Sequence, residues 1–325
     1  MPLSLKPLTF DQLKSELSAF QLIKVPHPFM LPRWLESWWN NFREEDQLFL
    51  HSVTEENELV GILPFRLKGD TAYFIGSANV CDYMDFIIRK GQETQFFSFI
   101  LDNIRSSGIT ALELESLRPD SSVLKFLLPL AKQRGLPVEV QDTDVTLEMS
   151  LADDWEQYLA TLSTHQRHEV KRKERRLAEA GNLVFDINKP SNIDLELKTL
   201  IQQIRISRQD KAAFMTEAME KFFNDLAKSL DEAGILRIGK LMLEGETVAS
   251  IMCFDYNNTR YLYNSGYDPS QTNLSVGLLS KVYSIKDAIE QQMHTYDFLK
   301  GAEVYKYHLG GREMPVSRCR IELIN

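Results

Sequence analysis

Four polar residues crowd a short stretch near the end of the chain: Asp297 in YDFLK, then Glu303, Tyr305 and Lys306 in GAEVYK. Their types cover what proton transfer requires. A carboxylate, Glu303 or Asp297, can accept a proton, the Tyr305 hydroxyl can donate one, and Lys306 can stabilise an oxyanion or a phosphate. Glu303 and Tyr305 lie two apart just past Gly301. Asp297 alternates with Tyr296 and Phe298, which suits a structural partner equally well. Upstream, Asn273, Ser275, Val276, Gly277 and Leu278 lead into an apolar-periodic run that predicts a helix over 275–292. A helix N-terminus there presents free N–H groups and the positive end of a dipole to an anion, and Gly277 permits close approach. The plainer alternative is a serine cap and a glycine that eases packing.

These residues need elements to hold them. The order over 247–312 is strand, strand, loop, helix, strand, which puts the helix N-terminus beside strand ends. Strands are expected at Leu183–Ile187, Ile235–Leu243, Val248–Asp255, Thr259–Tyr267, 295–299 and 316–324, with helices at Asp194–Arg208 and Thr216–Ala233. The first half gives helical stretches in 1–45, strands at Leu48–Val53, Glu58–Leu67, Thr71–Ile75, Met84–Arg89, Ile109–Leu117 and Val138–Met149, and helices at Gln92–Ser106 and Ser122–Arg134. Both halves run helix, antiparallel meander, helix, strand, which reads as a duplicated α+β unit divided at 149/150. The tryptophans of LPRWLESWWNNF fit a helix buried on a sheet.

Residues 163–180 stand out. Ser163 and Gly181 bracket a helix that holds six lysines and arginines and two glutamates between 167 and 176. Arg167, Lys171 and Arg175 form one stripe and His168, Arg172 and Arg176 the next. They suit a phosphorylated or nucleotide-linked acceptor, or an RNA end; a solvated charged face is the commoner outcome. Arg205, Arg208 and Lys211 could clamp the same anion, although Asp210 is beside them. Asp82 and Tyr83 could touch acceptor hydroxyls. His165 and His168 are spaced for a metal, but no third ligand has credible spacing, so no metal is expected.

Net charge is −9 over 325 residues, which excludes a general nucleic-acid or membrane-surface binder; any basic site is local. Cys81, Cys253 and Cys319 are scattered and odd in number, as expected of free structural thiols in a reducing compartment. The start of the sequence lacks a signal layout and no apolar run is long enough to span a bilayer, so a cytoplasmic protein is expected.

Taken together, LVGILPFRL, IGSANVCDYMDF, LSTHQRHEVKRKERRL, IRISRQDKAAF, ETVASIMCFDYNNTRYLYNSGYDP, NLSVGLL and YDFLKGAEVYK resemble, in order and spacing, the GNAT superfamily of acyl-CoA N-acyltransferases in its two-lobed branch. The resemblance is to the BioF2-like or CelD-like acetyltransferases, related to the Fem-type peptidyltransferases. It implies an α+β fold of two tandem GNAT-like lobes, each a mixed, mainly antiparallel sheet in an α/β three-layer arrangement flanked by helices. Residues 1–149 would be a degenerate, acceptor-side lobe. Residues 150–325, including the basic helix 163–180, would bind the donor, acetyl-CoA or another acyl-CoA, at Asn273–Leu278. Of the usual glycine-rich loop, RxxGxG/A, Gly277 alone is kept and no arginine leads in. The acceptor implied is an amine of a small molecule, sugar, peptide or cell-envelope or polysaccharide precursor, with Glu303, Tyr305, Lys306 and Asp297 as catalytic candidates. Arg167, Lys171, Arg172, Arg205, Arg208, Asp82 and Tyr83 would be the substrate-side candidates. A Fem-like alternative takes aminoacyl-tRNA as donor, hence RNA as a partner, and a third reading is a non-catalytic binding protein. The sequence leaves oligomeric state open.

Overall fold

The computed structural model describes residues 2–19 and 25–323. Residues 1 and 20–24, within the expected helical stretches of 1–45, and Ile324, the end of the expected last strand, lie outside the described residues, as does Asn325. The chain divides into two compact units, residues 1–145 with 314–325, and Thr146–Glu313.

In the first unit the elements are β1 (Ser4–Pro7), α1 (Phe10–Ala19), α2 (Pro32–Phe42), β2 (Gln47–Glu55), β3 (Glu58–Lys68), β4 (Thr71–Phe74), β5 (Ile87–Ile88), α3 (Glu93–Asn103), β6 (Ala111–Leu117), α4 (Leu128–Gln133) and the first part of β7 (Val138–Ser150). The β2–β3–β4 meander is antiparallel, and β4 then pairs parallel with β6 over three residues, Thr71↔Ala111 to Tyr73↔Glu113. Pro32 opens α2 at its first turn, and Trp34, Leu35, Trp38 and Trp39 are buried on one stripe, so the tryptophans do pack the helix into the core.

The second unit continues with the rest of β7, then α5 (Trp155–Thr161), α6 (Thr164–Ala178), β8 (Leu183–Asn188), α7 (Ile193–Ser207), α8 (Gln209–Phe214), α9 (Glu217–Glu232), β9 (Leu236–Leu243), β10 (Glu246–Tyr256), β11 (Thr259–Tyr267), α10 (Val276–Glu290), β12 (Thr295–Lys300) and α11 (Val304–His308). The final strand, β13 (Arg312–Glu322), was expected with the second lobe. It pairs antiparallel with β6, Ser317↔Leu117 to Glu322↔Ala111, and so residues from Met314 onward belong to the first unit. The second meander, β8 to β11, is antiparallel, and β11 pairs parallel with β12. Strand order therefore repeats between the units, and the mixed, helix-flanked sheets expected from the sequence are present. Helix α7 lies directly on β11: a Cβ at Gly266 would stand 2.3 Å from the Ile204 amide nitrogen.

Two elements differ from expectation. Of Met84–Arg89, the strand covers Ile87–Ile88, because the chain before it coils inward with Tyr83, Met84 and Phe86 buried. The helix expected at Ser122–Arg134 opens as a wide π turn, Val123–Leu127, before α4. Pro129 has no N–H to donate to residue 125, so regular i→i−4 bonding cannot run through it.

One buried ionic knot fixes the second unit. Arg260, 1% exposed, forks onto Asp255 at 2.8 and 2.9 Å, reaches Asp287 at 2.6 Å and donates to the Ser284 carbonyl. It ties the start of β11 to β10 and to α10. Removing one partner of such a set leaves buried charge unpaired. Arg260→Leu should lower unfolding free energy by about 3–5 kcal/mol, measured by urea denaturation.

Candidate active site

Where β11 and β12 part, the second unit opens. They pair at Thr259↔Thr295, Arg260↔Tyr296 and Tyr261↔Asp297, after which β11 runs on to Tyr267 without β12 beside it. Asp297 sits at the parting. It is 2% exposed and its Oδ1 accepts from the Leu299 N–H at 2.8 Å, inside a bulge where Leu299 has φ +59°. A left-handed leucine is strained and persists because its surroundings hold it. The expected catalytic Asp297 is thus a backbone anchor.

Diverging strands leave carbonyls without partners, and two lysines supply the donors. Lys306, 2% exposed, donates to Leu299 O at 3.1 Å, Lys300 O at 2.5 Å and Gly301 O at 3.0 Å, and pairs with Glu303 at 2.9 Å. Three N–H bonds facing four acceptors leave no donor for an oxyanion, so the role expected of Lys306 passes elsewhere. On the facing strand Lys211 donates to Ser265 O at 2.5 Å.

Between the strands lies a cavity of about 600 Å³, a size that takes a small ligand. Thr272, Ser275, Val276, Gly277, Leu278 and Lys281 form one wall, and Glu303, Val304, Tyr305 and His308 another. Ser265 and Tyr267 of β11, Arg208 and Lys211, and one face of α6 complete it. At the head of α10, Ser275 sits left-handed at φ +58° and its side chain makes no cap. Its carbonyl takes both the Leu278 and Leu279 N–H groups at 3.0 Å, while those of Val276 and Gly277 have no partner among the described residues. Two free N–H groups on a helix dipole make room for one phosphate-sized anion. Gly277 is also fixed by packing, since a Cβ there would meet the Tyr267 ring at 2.8 Å.

Electrostatically the cavity is short of negative charge. Lys281, 6% exposed, donates to Gly277 O at 2.6 Å and stands 5.4 Å from the Tyr305 ring centre. Burial, with the Lys211 charge adding, pulls its pKa down to about 7. Burial, helped by Arg208, brings Lys211 down to about 8. Burial first, and then the Glu303 charge, raises Tyr305, so its hydroxyl keeps its proton at physiological pH. That hydroxyl makes no hydrogen bond to the described residues. Glu303 is 46% exposed at the cavity edge.

Residues 164–307, nearly all of this unit, match the family described as Acetyltransferase (GNAT) domain. This stretch is thus similar to GNAT acetyltransferase domains. No curated protein is significantly similar to it in sequence. Among solved structures it resembles FemX (TM-score 0.64, 12% identity, 97% of this chain and 96% of that one). It also resembles the C-terminal domain of a putative lysylphosphatidylglycerol synthetase from Agrobacterium fabrum (TM-score 0.57, 12% identity, 88% and 90%). A tandem GNAT protein from the clavulanic acid biosynthesis pathway aligns end to end (TM-score 0.52, 12% identity, 100% and 99%). At such identities the likeness is one of fold.

The cavity gathers Ser275, Val276, Gly277, Leu278, Glu303, Tyr305 and Arg208 from among the expected residues. Asn273 is replaced in the lining by its neighbour Thr272. Arg205 turns away to Glu220 at 2.6 Å and the Met215 carbonyl, so the expected clamp comes apart. The basic helix presents His165, Gln166, Glu169, Val170 and Lys173 to the cavity, not Arg167, Lys171 or Arg172. Its seat is fixed by buried Val170 and Leu177, which turn the arginine stripes outward. There Arg172 forks onto Glu169 at 2.9 Å and Lys171 meets Glu156 at 3.5 Å. Asp82 and Tyr83 belong to the first unit and line no part of this cavity; Tyr83 is 1% exposed under Arg118. Lys281 escaped the sequence reading. Its signal was a lone lysine four residues after Gly277 in an otherwise apolar helix face. Among the described residues no group of three metal-ligand side chains occurs. No helix of the described residues is long and apolar enough to cross a membrane.

Gly277→Ala should abolish ligand binding at this loop at a stability cost of about 1–3 kcal/mol, and adding Tyr267→Ala should return the stability but not the binding, read by denaturation and ligand titration. Lys281 gives a pH test. Unfolded, it holds its proton to about 10.5, and folded only to about 7, so the unfolded chain binds more protons between these values and stability rises with pH there. Lys281→Met should therefore raise the melting temperature more at pH 6 than at pH 9.

Proposed function

We propose that this GNAT domain is an N-acyltransferase that passes the acyl group of an acyl-CoA thioester to an amine of a sugar, peptide or envelope precursor. The observation that carries the reading is the meeting, in one cavity, of the open α10 N-terminus, the parted strands and the Tyr305 hydroxyl. The fit to the donor is favourable but lean. The Val276 and Gly277 N–H groups, with Lys211 of the same lining, would hold its phosphate, and the gap between β11 and β12 would take its narrow arm. The thioester supplies the activated acyl group. Glu303, at the solvent edge, would accept the proton from the attacking amine. Tyr305, kept protonated by burial, would donate to the departing sulfur. Lys306 would hold Glu303 in place.

A second reading, an aminoacyl-tRNA donor, is favoured by one observation. Arg167 and Arg176 of α6 make no ion pair among the described residues and stand ready for phosphates. Its mark would be binding of charged tRNA that weakens steeply with salt.

The test is a thermal-shift titration with CoA and acyl-CoAs. A ligand at a hundredfold excess over Kd stabilises the folded state by about 2.7 kcal/mol. Absence of any rise at millimolar ligand removes CoA as donor. Tyr305→Phe should lower kcat by about a hundredfold with little change in KM; an unchanged kcat would leave Tyr305 as packing.

A further inference from the structure

Lys281 has no part in the scheme above, yet it is the most unusual group in the cavity. It lines the wall beside Tyr305, within one turn of the α10 N-terminus, and nothing of opposite charge touches it. The groups facing it are Lys211 from α8, Lys306, Glu303 and Tyr305 from α11 and the chain before it, and Cys253 from β10. One of its N–H groups is spent on Gly277 O. When neutral, its nitrogen carries a lone pair into a space that the proposed function fills with an activated acyl group.

We propose that Lys281 is an internal acyl acceptor: with a thioester donor bound and no acceptor amine present, the chain acylates its own Lys281 side chain. The inference rests on the acyl-thioester reading of the cavity. In the step, the neutral Nζ lone pair forms the bond to the acyl carbonyl carbon and the carbon–sulfur bond breaks. The proton released from Nζ goes to the sulfur, which leaves as a free thiol. The product is a stable amide. It leaves the side chain unable to take up a proton and fills part of the cavity with the acyl group, so acylated protein binds donor more weakly.

The neighbouring lysines are poorer acceptors for stated reasons. Lys306 spends its N–H groups on three carbonyls and Glu303. Lys211 is pinned on Ser265, its ammonium reaching both the carbonyl and the hydroxyl. Lys173 is paired with Glu169 at 3.4 Å. At pH 7.5 a solvent-exposed lysine is neutral about one part in a thousand, whereas Lys281 is mostly neutral, a preference of several hundredfold, roughly, from protonation alone.

The experiment incubates the full chain with acetyl-CoA alone at pH 6, 7.5 and 9, then maps acetylated peptides by mass spectrometry, with the CoA thermal shift measured in parallel. The expected result is one acetyl group, at Lys281, whose rate rises about eightfold from pH 6 to pH 7.5 and flattens above it. Lys281→Arg should lose the modification. Because arginine at a buried site can unfold the chain, the wild-type map is decisive on its own. A CoA shift with no acetyl group on Lys281, or with acetyl groups spread over surface lysines in proportion to exposure, overturns the proposal and leaves the acyltransferase reading standing. No CoA shift overturns both.

Discussion

One lysine ammonium sets where the second unit opens. Lys306 gathers the last carbonyls of β12 and the Glu303 carboxylate around a single buried charge. Two parallel strands that separate leave rows of unsatisfied backbone groups, which a fold tolerates only when something else donates to them. Lys306 does so on one side and Lys211 on the other. The gap is thus held open by side chains that also bring positive charge to its walls. Shape and electrostatics of the cavity have one origin.

Charge of that kind is costly unless used. Burial depresses both Lys211 and Lys281, with the Arg208 charge adding to the first and the Lys211 charge to the second, and Glu303 is the acid that answers them within the lining alongside outward-paired Glu169. The arrangement suits a site that waits for an anionic or strongly polar ligand: affinity comes partly from relief of repulsion already present. The helix N-terminus adds to this with two N–H groups, fewer than a full glycine-rich loop supplies.

How much of this was legible in the sequence depends on range. The loop at Ser275–Gly277 was readable because a helix start is a local event, and the strand–strand–loop–helix–strand order followed from periodicity. Tyr305 and Glu303 were readable because they sit a fixed few residues past a strand. The misreadings share one cause. Arg167, Lys171 and Arg172 form a true stripe, but which stripe faces inward is decided by where Val170 and Leu177 find their pockets. Arg205 and Arg208 lie three apart and still point to different partners, because the helix ends between them. Lys306 and Lys281 look alike as residue types; one is saturated and the other is not, and only the folded backbone tells them apart. The return of β13 to the first unit is likewise a long-range pairing with no local mark.

The bulge that ends β12 has a counterpart. In the first unit β6 also runs parallel to its neighbour for three residues, then bulges, and Ser116 there has φ +58°, as Leu299 has +59°. Beyond that point no comparable opening is needed: the chain after β4 fills the space itself, with Met84 N–H on Ser116 O at 2.9 Å and Phe86 packed among Phe65, Phe74, Phe96 and Phe97. The protein thus contains its own control. The same backbone distortion recurs in a copy stuffed with aromatic rings, so it belongs to the architecture of the fold rather than to catalysis. What separates a working half from a filled one is the fate of a dozen residues after a strand: in one they turn inward as ballast, in the other they stand aside as a doorway.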